Sequence, residues 1–315
     1  MKLIAPDYYG GFKCIAAACR HSCCVGWEID IDEETLAGYD AAEGPFGERL
    51  RASIERTDEG AHFKMDETER CPFLNETGLC DLIIEMGEDR LCEICADHPR
   101  FRNFLSDRTE IGLGLCCEAA GKLILSRKEK TRLEVIEDDG ADEELWEDEI
   151  AALEMRGRVF SVLQDRSKPV SERLRDMLES CGASAPDLTW EKVGEILSGL
   201  ERLDPAWDGY IAMLSDDEHA ADLSGETWET AFEQLAVYFA YRHFIGVSED
   251  GNLSGRAGLI ALSTAIIRRM CERLSFSREV FGFDDLVEIA RMYSSEIEYS
   301  EENLDALTAV FGDGE

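Results

Sequence analysis

The residues best equipped for chemistry in this chain are its thiols. Ten of the twelve cysteines fall between positions 14 and 117: Cys14, Cys19, Cys23, Cys24, Cys71, Cys80, Cys92, Cys95, Cys116 and Cys117. Cys181 and Cys271 stand apart and read as small buried hydrophobes. Cysteines gathered this way bind metal or form disulfides. Met1-Lys2-Leu3-Ile4-Ala5 runs into Pro6-Asp7 without the apolar segment of a secretory leader. No run approaches the roughly 18 apolar residues that span a bilayer. The expected compartment is therefore the cytoplasm, away from membranes, where thiols stay reduced and metal is the better reading.

The spacing supports metal. In Cys14-x4-Cys19-x3-Cys23-Cys24, thiolates three to five residues apart can converge on one centre from a loop. Cys23 and Cys24 are neighbours, so one of them packs or serves elsewhere. Trp27 and Ile29 read as an apolar wall that excludes water from a cluster. Cys71-Pro72-Phe73-Leu74 and Cys80 follow, then the two-ligand clip Cys92-x2-Cys95, with His98 three residues beyond as a further candidate ligand. Cys116-Cys117 close the region. Ten thiols suffice for two four-ligand sites, and one is the more economical reading. Arg100 and Arg102, beside Phe101, can hold sulfides, a carboxylate or a phosphate, or cover an acidic face.

The elements that must position these groups read as follows. The aromatic lead-in Tyr8, Tyr9 and Phe12 is expected to pack over the cysteine site. Asp30 or Asp32 can cap a helix over 33–56, interrupted at Gly44-Pro45. Leu82 to Met86 reads as a short buried helix broken by Gly87. Thr109 to Ala120 reads as a strand or loop turning into a helix. Its glycines, Gly112 and Gly114, fall short of a nucleotide-binding fingerprint.

Beyond 120 the apolar residues recur every three or four positions, which predicts helices over 121–130, 142–165, 171–181, 190–202, 204–215, 224–247, 255–275 and 284–310. Residues 131–144 read as an acidic linker, with Val135-Ile136 alone hinting at a strand. Tyr238, Tyr241, Arg242 and His243 lie on one strongly apolar helix, better read as a buried helix with a satisfied histidine than as a pocket wall.

The chain carries 68 acidic and 32 basic residues, net -36. Residues 1–120 hold 12 basic and 25 acidic residues, net -13, and the remainder is net -23, so the acidity is not a tail. Such a field repels nucleic acid and anionic membranes. It serves solubility first, and favours a basic or lysine-bearing partner.

The order C-x4-C-x3-C-C, C-P-F-L, a spaced cysteine, then L-C-x2-C-x2-H-P-R resembles the cysteine-rich domain described as zinc- or iron-chelating, and most of all the flagellin lysine-N-methylase family built on it. Tyr9, Phe12, Trp27, Ile29 and His98-Pro99-Arg100 share in the resemblance, which covers residues 6–120. The resemblance implies methyl transfer from S-adenosylmethionine to lysine side chains of flagellin, in the assembly of the bacterial flagellum, dependent on a [4Fe–4S] cluster. It makes Cys14, Cys19, Cys23, Cys71, Cys80, Cys92 and Cys95 the cluster-ligand candidates. The radical C-x3-C-x2-C pattern fails at its third position, Gly26, which leaves polar displacement by a neutral lysine amine. The alternatives are a non-enzymatic zinc- or iron-binding module and an electron-transfer iron–sulfur protein. The expected fold is mostly α: a cysteine-rich loop-and-helix metal domain over 1–120, packed on an all-α helical domain over 121–315.

Overall fold

The computed structural model describes residues 1–311 except 59, 142, 185, 187 and 216–220. The chain divides into two compact units, Lys13–Arg100 and a second built from Met1–Phe12 with Phe101–Glu315. The division does not follow the expected cut at 120. Cys116 and Cys117 belong to the second unit.

In Lys13–Arg100 a three-stranded antiparallel sheet, in the order Asp30–Ile31, Ala61–Phe63, Ile54–Arg56, carries short helices Glu33–Asp40, Gly44–Ala52, Asp81–Met86 and Glu93–Asp97. The break expected at Gly44-Pro45 is real. Gly44 takes φ 77°, a conformation that side chains resist, and starts the second helix with Pro45 in its first turn. Asp32 caps the first helix by accepting from the Thr35 N–H at 2.9 Å. The core is small and aromatic. Phe63 meets Phe73 edge-to-face at 5.1 Å and stacks on Tyr39 at 6.1 Å. Cys71 and Cys92 are themselves part of this core.

The second unit is not all-α. A four-stranded sheet runs in the order Arg100–Phe104, Arg108–Leu113, Lys2–Pro6, Leu133–Asp138. Lys2–Pro6 is parallel to Arg108–Leu113 and antiparallel to Leu133–Asp138. The aromatic residues expected to pack over the thiols follow directly on the Lys2–Pro6 strand and pack on the second unit's own core instead, Tyr8 within it and Tyr9 and Phe12 against it. The hint at Val135-Ile136 extends to a full strand, hidden in the sequence by its flanking acids. Its partner strand comes from the other end of the chain, a pairing that local pattern cannot reveal.

The helices follow the three-to-four periodicity closely: Glu118–Leu125, Glu147–Leu163, Val170–Ser180, Trp190–Ser198, Trp207–Ala212, Glu226–His243 and Leu253–Ser277. Asp142, where one helix was expected to begin, lies outside the described residues. The helix expected over 284–310 is two, Phe283–Ile297 and Glu301–Ala309, the second capped by the Ser300 hydroxyl. Glu226–His243 and Leu253–Ser277 are buried nearly all round and form the centre of the core. No described helix is long and apolar enough to cross a membrane.

Candidate functional site

No disulfide joins any of the twelve cysteines. Five of the ten clustered ones, Cys24, Cys71, Cys80, Cys92 and Cys95, are gathered in or against the core of the Lys13–Arg100 unit. The local fold explains the convergence. The Cys71 N–H donates to the Cys24 carbonyl at 2.9 Å, joining two loops that lie far apart in sequence. Leu74 and Cys80 pair as an isolated bridge that closes the turn between them, held by the Asn75 side chain accepting from Thr77 and Leu79 N–H groups. Cys92 stands just before the Glu93–Asp97 helix, so Cys95 follows one turn later. Asp32 ties this clip to the sheet by accepting from the Glu93 N–H at 2.8 Å.

The thiols feel one another electrically. A hydrogen bond from Cys23, with help from Ser22 and Arg70, outweighs burial and brings Cys24 down to about 7. Burial, reinforced by Cys24 and Cys80, pushes Cys71 up to about 12. A hydrogen bond with Cys95 lowers Cys92, and the same contact pushes Cys95 up. Cys80 is raised by burial. Thiols crowded so that several cannot ionise together suit a cation, which removes the repulsion and deprotonates its ligands. Among the described residues, no three of these sulfurs lie within 4.8 Å of one another, so the all-sulfur donor set suits a larger iron–sulfur group better than a single soft ion.

The other sequence candidates are placed differently. Cys14 and Cys19 lie on an exposed loop, where Cys14 Sγ accepts from the Ala16 N–H at 3.4 Å and Cys19 donates to the His21 carbonyl at 3.1 Å. His98 stacks beside Trp27 with ring centroids 6.3 Å apart, and burial lowers its pKa. Ile29 is fully buried in the Lys13–Arg100 core, and the partly buried Trp27 packs against it.

The second unit holds a polar network that the sequence only half disclosed. Glu298, 5% exposed, accepts from the Tyr238 hydroxyl at 2.9 Å and pairs with His243 Nε2 at 2.6 Å, while Arg242 lies 3.4 Å away. The Arg242 guanidinium sits between the rings of Phe101 and Tyr299, 4.9 Å from each centroid. The Tyr299 hydroxyl lies 2.9 Å from Cys116 Sγ, and burial raises Cys116 to about 11. Tyr241 bridges the parallel strands by donating to the Ile4 and Ile111 carbonyls at 3.2 and 3.1 Å. The histidine is satisfied and the helix buried, as the periodicity implied. Glu298 carries no sequence signal among 68 acids. The clue to Phe101 is Gly112, since a Cβ there would sit 2.3 Å from the Phe101 ring. The glycine seats an aromatic ring; it is not part of a phosphate loop.

Residues 101–315 match the family described as FliB lysine N-methylase C-terminal domain, and the chain belongs to that family. It is 25% identical over 127 residues to the lysine-N-methylases of Salmonella typhimurium and Salmonella choleraesuis, covering 38% of this chain and 32% of each relative. It is 24% identical, also over 127 residues, to the flagellar biosynthetic protein FliU of Salmonella muenchen, covering 75% of that protein. The aligned stretch is thus about a third of the length of the two lysine-N-methylases. No solved structure matches the chain.

Proposed function

We propose that this protein is a lysine N-methyltransferase that moves the methyl group of S-adenosylmethionine to lysine side chains of flagellin. The observation that carries the reading is the match of residues 101–315 to a lysine N-methylase domain. The strong negative charge supports it, because a lysine-bearing substrate is drawn to an acidic surface. In the reaction a neutral lysine amine attacks the sulfonium methyl carbon. The N–C bond forms, the C–S bond breaks, S-adenosylhomocysteine leaves, and the proton passes to base. Lysine's ordinary pKa near 10.4 makes that deprotonation part of the catalytic task.

We assign Cys24, Cys71, Cys80, Cys92 and Cys95 as the thiols from which the four ligands of a [4Fe–4S] group are drawn. What supports this is their gathering in and against one small core, with Cys24 and Cys92 lowered by neighbouring thiols. When bound, such a group supplies an iron centre able to take a donor heteroatom. The protein residues around it do the rest. Trp27 and Ile29 exclude water, and Arg70, which hydrogen-bonds the Leu74 and Asn75 carbonyls at 3.1 and 2.7 Å, holds the intervening loop beside Cys24.

The test is incubation of anaerobically purified protein with flagellin and methyl-labelled S-adenosylmethionine, read by peptide mass spectrometry. Label on lysine Nζ is the expected result. A protein that carries metal, yet leaves flagellin unlabelled and does not bind the donor, would contradict the assignment in favour of a binding module or electron carrier.

A further inference from the structure

Outside the thiol core, the Lys13–Arg100 unit brings a second kind of donor set together. The ligand atoms of Glu28, Asp30 and His62 all lie within 4.8 Å of one another, with His62 Nε2 3.6 Å from Glu28 Oε2. The sheet puts them there. Asp30 and His62 are direct cross-strand partners, and Glu28 lies two residues before Asp30, on the same face. The Phe63 N–H donates to the Ile29 carbonyl at 3.1 Å, which extends the ladder past Asp30 and fixes the backbone of Glu28. Burial alternates as the geometry demands. Ile29, Ile31, Ala61 and Phe63 face the core, while Glu28, Asp30 and His62 face outward.

The register adds a fourth donor. His62 stands on the central strand, and its partner on the other side is Glu55, also outward. One imidazole is therefore flanked by carboxylates from both neighbouring strands, with Glu28 on the diagonal. The backbone positions are fixed by three paired strands over a packed core, and the Glu28 and Glu55 side chains are exposed. In a chain of net charge -36, the Glu28 and Asp30 carboxylates, held within 4.8 Å of each other beside one imidazole, repel unless a cation stands among them.

We propose that Glu28, Asp30 and His62, completed by Glu55, bind a divalent first-row cation at a site separate from the thiol core. The donors decide its class. Carboxylates select against soft ions, and an imidazole selects against magnesium and calcium, which leaves Mn2+, Fe2+ and Zn2+. Bound there, the cation clamps the Asp30–Ile31 and Ala61–Phe63 strands together and raises the stability of the unit by mass action.

Mn2+ is the discriminating probe, because thiolates bind it poorly and it reports directly by electron paramagnetic resonance. Titration of the full-length protein is expected to give one tight equivalent. Its electron spin echo should carry the nitrogen modulation of a directly coordinated imidazole. His62→Gln should abolish that modulation, and Asp30→Asn should weaken binding at least tenfold. Both variants change outward-facing residues, and unchanged circular dichroism would certify their fold. Absence of nitrogen modulation in the parent protein, its persistence in His62→Gln, or equal affinity in Asp30→Asn would overturn the proposal and leave diffuse attraction to an acidic surface. The readout involves neither iron nor methyl transfer, so it stands or falls independently of the proposed activity.

Discussion

The two units are held together by different means. The unit of Met1–Phe12 and Phe101–Glu315 buries long helices against one another and pairs the charges it buries. Glu110 takes a bidentate contact from Arg156 at 2.5 and 2.6 Å, and the fully buried Glu233 takes Arg166 and Arg173 at 2.8 and 2.6 Å. At these two carboxylates the charge is balanced within the chain. In Lys13–Arg100 the elements are short, the core is small and two of its members are thiols. There, burial raises the Cys71 and Cys80 thiols, and the Cys92–Cys95 hydrogen bond lets only one of that pair ionise, a problem whose simplest solution is a cation from outside. Where a core is too small to stabilise its own fold, metal commonly completes it.

Removing the central thiols should separate the two regimes most sharply. In the double variant Cys71→Ser, Cys92→Ser, hydrogen exchange should reach unprotected rates across 13–100 while the helices of the second unit keep their protection. Structural metal contributes on the order of 10 kcal/mol to small domains, enough to decide whether they fold. Equal loss of protection in both units would erase the contrast drawn above.

Glu298→Gln tests the second regime. Leaving Arg242 and His243 without their buried carboxylate should cost about 3–5 kcal/mol, read as a lower urea midpoint for the second unit. The same network sets a pH dependence. Burial holds His243 below its ordinary value despite Glu298, whereas Arg242 and His243 hold Glu298 below its own against burial. Both groups therefore bind protons more readily unfolded than folded. Stability should be full above about 6.5, fall as the pH drops through the folded value of His243, and fall again below about 4.3 as Glu298 protonates. Thermal denaturation between pH 7 and 3 should show both losses; Glu298→Gln should remove the one below about 4.3 and deepen the one at His243, whose pKa Glu298 holds up against burial.

Smaller effects should follow from single packing and capping contacts. Gly112→Ala forces the Phe101 ring from its seat and should cost about 1–3 kcal/mol in the second unit. Asp32→Ala removes the acceptor of both the Thr35 and Glu93 N–H groups and should cost about 1–2 kcal/mol in Lys13–Arg100. Proteolysis of the Glu93 segment would report that loosening directly.

Much of this was legible in the sequence, for physical reasons that differ by region. Helix periodicity is local, so most helices beyond 120 were legible, though one expected helix is two and a strand lay within the expected linker, and Asp32 and Gly44-Pro45 declared their roles by type alone. The cysteines were legible as a group because thiols in such numbers have few other uses. Which of them meet was not. The pairing of Cys24 with Cys71 depends on loops crossing, and spacing says nothing of that. The sheet containing Lys2–Pro6 was missed because its strands come from distant parts of the chain. Glu298 was missed because a carboxylate acquires its role only from what folds around it. The Glu28–Asp30–His62 face was overlooked because its logic is cross-strand register rather than spacing along the chain.

The central claim is that the converging thiols hold a [4Fe–4S] group on which lysine methylation depends. The most direct test is to reconstitute the protein anaerobically to graded iron and sulfide content and to measure methyl transfer to flagellin lysines at each point. Transfer should rise in proportion to cluster content up to about four irons and four sulfides per chain, and vanish when Cys71, Cys92 and Cys95 are replaced by serine. Full transfer by metal-free protein, or by protein holding stoichiometric zinc, would contradict it.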